Sequence, residues 1–160
     1  MKNHIPIKRH PALVSLSRDH HFGLLLVWKI KQGLAKHIAL ERIRDYVVYF
    51  FENDLDQHFR EEEQTLFPKL PINNALRIRA EQEHAFIYKL VERLRTEEVK
   101  DTLLREFADR LMDHIRFEER ELFALLQETL TDAELEMVAA HGNSQADLHW
   151  ADPFWLANQD

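Results

Sequence analysis

The 160-residue chain contains no cysteine. Disulfides, thiolate metal sites and cysteine nucleophiles are excluded together, while the redox compartment stays open. Glycine occurs three times and proline five, against many Leu, Glu, Arg and Ala residues; that balance favours helices over turn-rich architectures. No long hydrophobic run is present. The longest, Leu24 to Trp28, is far too short to span a bilayer. Positive charge is in deficit: 21 Lys and Arg face 28 Asp and Glu, for a net charge of -7. An acidic chain is a poor electrostatic match for nucleic acid or an anionic membrane, so neither is the expected partner. The opening "MKNHIPIKRH" is basic but has no apolar stretch behind it, unlike a secretory signal. A cytoplasmic protein is expected, folded as one domain over residues 1–160, a length sufficient for a real core.

What the chain has in excess is histidine, ten residues in all. Their positions follow the apolar pattern, which recurs at steps of three and four and therefore predicts helices. The first stripe reads Leu13, Leu16, His20, Leu24 (or Gly23), Val27, Leu34. The second reads Val48, Phe51, Leu55, His58, Glu62, Leu66. The third reads Ala80, His84, Ile87, Val91, Leu94, and the fourth Leu104, Phe107, Leu111, His114, Glu118, Leu122, Leu125. These are four amphipathic helices whose buried stripes each carry a histidine. Breaks are expected at 33–37, at "PKLPINN" (68–74), and near "RTEEVKDT", where Thr96, Asp101 and Thr102 are candidate caps. A short fifth helix is expected from Thr131, with Glu134 completing a capping box, to Gly142. The tail "LHWADPFWLANQD" is too aromatic to hang free and should pack on the bundle or on a partner.

In an up-down bundle, residues at one height lie symmetrically about the connecting turn. The midpoints of His20 and His58, of His58 and His84, and of His84 and His114 all fall in or beside the predicted breaks. Four antiparallel helices would therefore bring these histidines to one level. His58 and Glu62 are four apart, as are His114 and Glu118, a spacing that stacks two side chains on one helix face. Imidazole and carboxylate suit iron, manganese or zinc. A buried carboxylate without compensation costs several kcal/mol, and two divalent cations would supply that compensation. A purely structural His–Glu hydrogen-bond layer is the alternative. Glu61, Glu63, Glu119 and Glu121 read as a solvated face.

The chain also repeats itself. "DQHFREEEQTLFPKL" (56–70) and "MDHIRFEERELFALL" (112–126) share His-x-x-x-Glu-Glu followed by Leu-Phe at the same offset, and "DHHF" at Asp19 resembles "EHAF" at Glu83. Aligning the last two selects His20 over His21. The whole pattern, His then His-x-x-x-Glu given twice, resembles the hemerythrin-like, HHE cation-binding family over about residues 12–127. That resemblance implies an all-α, up-down four-helix bundle, here with a short C-terminal helix and an aromatic tail over 131–160. It also implies a non-haem centre of two iron ions held by His20, His58, Glu62, His84, His114 and Glu118, the glutamates bridging. Members bind oxygen, sense oxygen or iron, or meet nitric oxide and peroxide.

Two departures set this chain apart from the oxygen-carrying members. Those have paired histidines four apart on the third helix, whereas Ala80 and Tyr88 flank His84 here. Their last helix has His-x-x-x-x-Asp, whereas this one has His-x-x-x-Glu. Fewer imidazoles imply more exchangeable positions, which points away from reversible oxygen carriage. The expected function is a di-iron protein that binds or senses a small ligand such as oxygen, nitric oxide or peroxide, or handles iron. An enzyme turning over peroxide or nitric oxide is the second hypothesis. An interaction protein using its aromatic tail, with structural metal, is the third. Tyr88 is a candidate hydrogen-bond donor or radical site, or a packing tyrosine; Gly23 is a candidate ligand channel, or a site of close helix packing. A homodimer is among the oligomeric options.

Overall fold

The computed structural model describes residues 8–138 and 150–157. Helix α1 spans Pro11–Ala35. Proline stands at its first position, where no amide hydrogen bond is forfeited, and His10 Nδ1 accepts from the Ala12 amide at 3.0 Å. The chain reverses through His37, which takes φ 55°, and enters a second bundle helix over residues 40–66. That helix is built from α2 (Leu40–Phe50), a π turn (Phe51–Leu55), α3 (Asp56–Glu61) and a second π turn (Glu62–Leu66). A short 3-10 turn, Phe67–Lys69, leads to Pro71 and the second reversal.

Helix α4 (Ala75–Thr96) starts at Asn74, whose side chain accepts from the amides of Leu76 and Arg77 at 3.0 and 3.1 Å. The fourth bundle helix comprises α5 (Asp101–Phe117), a π turn (Glu118–Leu122) and α6 (Phe123–Thr129). Helix α7 (Asp132–Val138) follows, opened by the expected capping box: Thr131 Oγ1 accepts from the Glu134 amide, and Glu134 Oε1 accepts from the Thr131 amide, both at 3.2 Å. The expected end of this helix at Gly142 lies outside the described residues. Helix α1 packs against α2 and α5, and α4 against α2 and α5, which closes an up-down bundle. No strand occurs among the described residues, and no helix there is long and apolar enough to cross a membrane.

The structure corrects or refines three local expectations. None of Thr96, Asp101 and Thr102 caps α5: Lys100 is its N-cap and makes no side-chain cap bond, while the Thr96 hydroxyl bonds back to the Glu92 carbonyl. Of the two residues offered for one place in the first stripe, Gly23 is buried and Leu24 is 38% exposed. Val48 and Leu125 sit at the edges of their stripes, half-buried.

The apolar interior is divided in two. One cluster runs from Leu26, Ile30 and Leu34 through Ile43, Phe50 and Phe59 to Ile87, Phe107 and Ile115. The other gathers Leu13, Leu16, Leu66, Phe67, Ala80, Phe117, Leu122 and Phe123. Between them lie the histidines and glutamates of all four stripes. The C-terminal tail packs on the first cluster. Phe154 is buried beside Tyr46, Arg42 makes a two-pronged ion pair with Asp152, and Lys36 Nζ donates to the Trp155 carbonyl at 2.7 Å. Gly33 makes room for it, since a Cβ there would lie 2.8 Å from both Phe154 and Ile43.

Candidate metal centre

The six residues singled out by spacing converge. His20 on α1, His58 on α3, His84 on α4 and His114 on α5 are all buried, with Glu62 and Glu118 fully so. Their donor atoms form two groups, His20–His58–Glu62–Glu118 and His84–His114–Glu62–Glu118, each with all its atoms within 4.8 Å of one another. Both glutamates belong to both groups. His21, one residue from His20, faces solvent.

Every inward atom lacks a hydrogen-bond partner: Nε2 of each of the four histidines, and both carboxylate oxygens of Glu62 and of Glu118. They nevertheless face each other closely. His58 Nε2 lies 2.9 Å from Glu62 Oε1, His20 Nε2 3.0 Å from Glu118 Oε2, and His114 Nε2 2.6 Å from Glu118 Oε1. A single unsatisfied buried polar group costs about 1–3 kcal/mol, more when charged, against a total stability of roughly 5–15 kcal/mol for a domain. Eight such atoms therefore need positive charge among them, as protons or as cations.

The outward nitrogens settle the tautomer. His20 Nδ1 lies 2.8 Å from Glu119, His58 Nδ1 3.1 Å from Asp19, His84 Nδ1 2.9 Å from Glu63, and His114 Nδ1 2.8 Å from Glu83. An ionised carboxylate only accepts, so each Nδ1 carries a hydrogen, and a ring that gives up its other proton leaves the Nε2 lone pair pointing inward. That is the form in which imidazole binds a metal. Glu63 stays exposed, as expected, while bonding His84; Glu119 is half-buried against His20, and Glu61 and Glu121 have Gln57 and Arg79 as partners.

These four acids escaped the reading of the sequence, yet a directional rule locates them. Consecutive residues lie about 100° apart around a helix. When one side chain points into the bundle, its neighbour points at an adjacent helix. Each bundle helix here passes an acid to the histidine of the next, and the fourth passes one back to the first. Because the helices alternate in direction, the same sense of rotation needs the preceding residue on odd helices (Asp19 before His20, Glu83 before His84). It needs the following residue on even ones (Glu63 after Glu62, Glu119 after Glu118). The Leu-Phe of the repeat obeys the same exchange. Phe67 packs on the His84 ring and Phe123 on the His20 ring, at centroid separations of 5.3 and 5.4 Å.

Electrostatics follow from this enclosure. Burial alone would strip the proton from His20, but the close Glu118 carboxylate and the hydrogen bond to Glu119 outweigh it and raise the imidazolium to about 9. Against the same desolvation, carboxylate neighbours also raise His58, His84 and His114 above the usual histidine range. Burial pushes Glu118 up, yet the charge of His114 and the close His20 ring hold it well below the ordinary carboxylate value. Without metal these raised values favour a proton on the inward nitrogens, and a cation must displace such protons to enter.

Two further expectations receive answers. A Cβ on Gly23 would meet Ile115 Cδ1 at 2.8 Å, so this glycine permits close approach of α1 and α5 and opens no channel. The Tyr88 hydroxyl donates to Asp56 at 2.8 Å and touches no inner residue by hydrogen bond. Its ring packs edge-on against Phe59, which stacks on His84 at 3.9 Å. A small cavity of about 10 Å³ lies against His58, lined also by Asp19, Asp54, Gln57 and Glu61.

Residues 14–126 match the hemerythrin HHE cation binding domain family. No curated protein and no solved structure matches the chain.

Proposed function

The chain belongs to the hemerythrin HHE cation-binding domain family, and from that premise we propose that it is a non-haem di-iron protein that binds or senses a small ligand of the size of oxygen, nitric oxide or peroxide. One observation carries this reading: eight inward donor atoms without hydrogen-bond partners, divided into two groups that share both glutamates. Each group offers two imidazoles and two carboxylates, a donor set that suits iron and accommodates manganese or zinc. Glu62 and Glu118 stand between the two positions and would bridge them. A pair of iron ions there supplies one-electron redox chemistry and coordination sites for an added ligand.

The residues around the centre limit what can reach it. Phe59, Phe67 and Phe123 cover imidazole faces, and Ile115 fills the space beside Gly23. The cavity at His58, about 10 Å³, admits roughly one water-sized molecule. That size favours a diatomic ligand or peroxide over an organic substrate. Four protein donors per ion leave positions free on an iron that prefers six, and a free position favours ligand binding without oxygen carriage. Turnover of peroxide or nitric oxide is the second reading, supported by the same vacancy count. Titrating the ferrous-loaded protein with nitric oxide under argon tests the proposal. An absorption change saturating at one or two equivalents per chain is expected; an unchanged spectrum overturns the small-ligand reading.

A further inference from the structure

Four carboxylates outside the inner set make one hydrogen bond each to an inner histidine, and they do so in a closed circuit around the bundle. Resting on the dinuclear reading above, we propose that Asp19, Glu63, Glu83 and Glu119 are positioning residues that act in two pairs. Asp19 and Glu119 serve the His20–His58 position, and Glu63 and Glu83 serve the His84–His114 position.

The assignment cuts across the chain order. Glu119 follows Glu118 on the helix of His114, but its hydrogen bond goes to His20. Glu63 follows Glu62 on the helix of His58, but its bond goes to His84. Asp19 and Glu83 lie beside His20 and His84 in sequence and hold His58 and His114. Each cation position is therefore oriented by one acid from its own half of the repeat and one from the other half. A carboxylate on Nδ1–H fixes the ring and strengthens the inward nitrogen as a donor.

Charge follows the same scheme. Arg9 pairs with Glu119 at 2.8 Å and Arg79 with Glu83 at 3.0 Å. Each position thus has one arginine-compensated outer acid and one held only by its histidine in these contacts, Asp19 in one case and Glu63 in the other. The centre and its outer acids thus carry more carboxylates than guanidiniums, an excess of negative charge that favours cations; Arg79 is shared with Glu121.

Amide variants test this, because Asn and Gln keep shape and an acceptor oxygen while losing the charge. The probe is Mn2+ alone, followed by electron paramagnetic resonance, in which a coupled pair is distinct from an isolated ion. Metal positions are then read from anomalous scattering in crystals. The pair Asp19→Asn with Glu119→Gln should weaken the His20–His58 position by about 10- to 100-fold and convert the coupled signal to that of one isolated ion at His84–His114. Glu63→Gln with Glu83→Gln should do the reverse. The crossed pair Glu63→Gln with Glu119→Gln should weaken both positions. Asp19→Glu, matching the acid used at the other three places, should restore wild-type binding. Equal weakening of both positions by the Asp19/Glu119 pair, or unchanged binding in every variant, overturns the proposal. Wild-type protein that takes up no Mn2+ overturns the dinuclear reading, and this inference with it, whereas a coupled pair in wild type with unchanged variants defeats the inference alone.

Discussion

His20 and His21 are adjacent and chemically identical, yet only one can serve the centre. His20 is 4% exposed with its Nε2 turned inward, and its neighbour points to solvent. Replacing His20 with Ala is expected to lower bound iron by at least one ion per two chains, and His21→Ala to leave it unchanged; iron analysis after anaerobic loading checks the ranking. A second expectation follows from the proton held on His20. Its folded value, about 9, lies above the ordinary 6.5, so its contribution to the metal-free fold is fully present below 6.5. That contribution is lost as pH rises through about 9. Metal-free protein should melt at progressively lower temperature between those values. Metal affinity should run the other way and strengthen with pH, since protons compete for the same nitrogens. Thermal melts with chelator across this range, beside metal titrations at the same pH values, test both signs. A metal-free melting temperature that climbs with pH would contradict the protonated cluster. At this scale the inner six residues were legible because spacing and height constrained them jointly. The outer acids were not: in a chain with 28 Asp and Glu, an acid beside an inward-facing residue looks like any solvated residue until the helix directions are fixed.

Between elements, close approach depends on two glycines, and they should respond differently to a methyl group. At Gly23 the obstacle is only the tip of Ile115, which can turn aside, and alanine gains up to about 1 kcal/mol of helix propensity. At Gly33 the methyl would strike both Ile43 and the Phe154 ring at 2.8 Å, and overpacking costs about 1–3 kcal/mol. Gly33→Ala should therefore destabilise more than Gly23→Ala in urea unfolding; the opposite order would show that the tail is not seated against α1. The four long helices could be read from periodicity, and the turn at Pro71 from its composition. The π turns could not, because an extra residue in a turn leaves the apolar steps of three and four nearly intact. Two of the three among the described residues begin at the inner glutamates Glu62 and Glu118, in keeping with the tendency of π turns to occur at functional sites. The start of α5 was misread for a related reason: Lys100 caps it without a side-chain bond, so no cap signature exists to find.

Across the whole molecule, a polar layer divides two apolar clusters, and the C-terminal tail closes the end of one of them. Lys29 is buried there, its Nζ 4.0 Å from the Trp155 ring and 3.0 Å from the Tyr46 hydroxyl. It lies nine residues from His20, about 13 Å along α1. Trp155→Ala should therefore cost about 2 kcal/mol of stability and leave metal content unchanged. Loss of metal in that variant would tie the tail to the centre. That the tail would pack somewhere was evident from its aromatic content; its place against Tyr46 was not, since only the assembled bundle shows the groove beside Gly33. The central claim is that the polar layer is a dinuclear cation site, and its most direct test is an anaerobic ferrous titration of chelator-treated protein with elemental analysis. A plateau close to two iron ions per chain is predicted, and a plateau at one ion or none would contradict it.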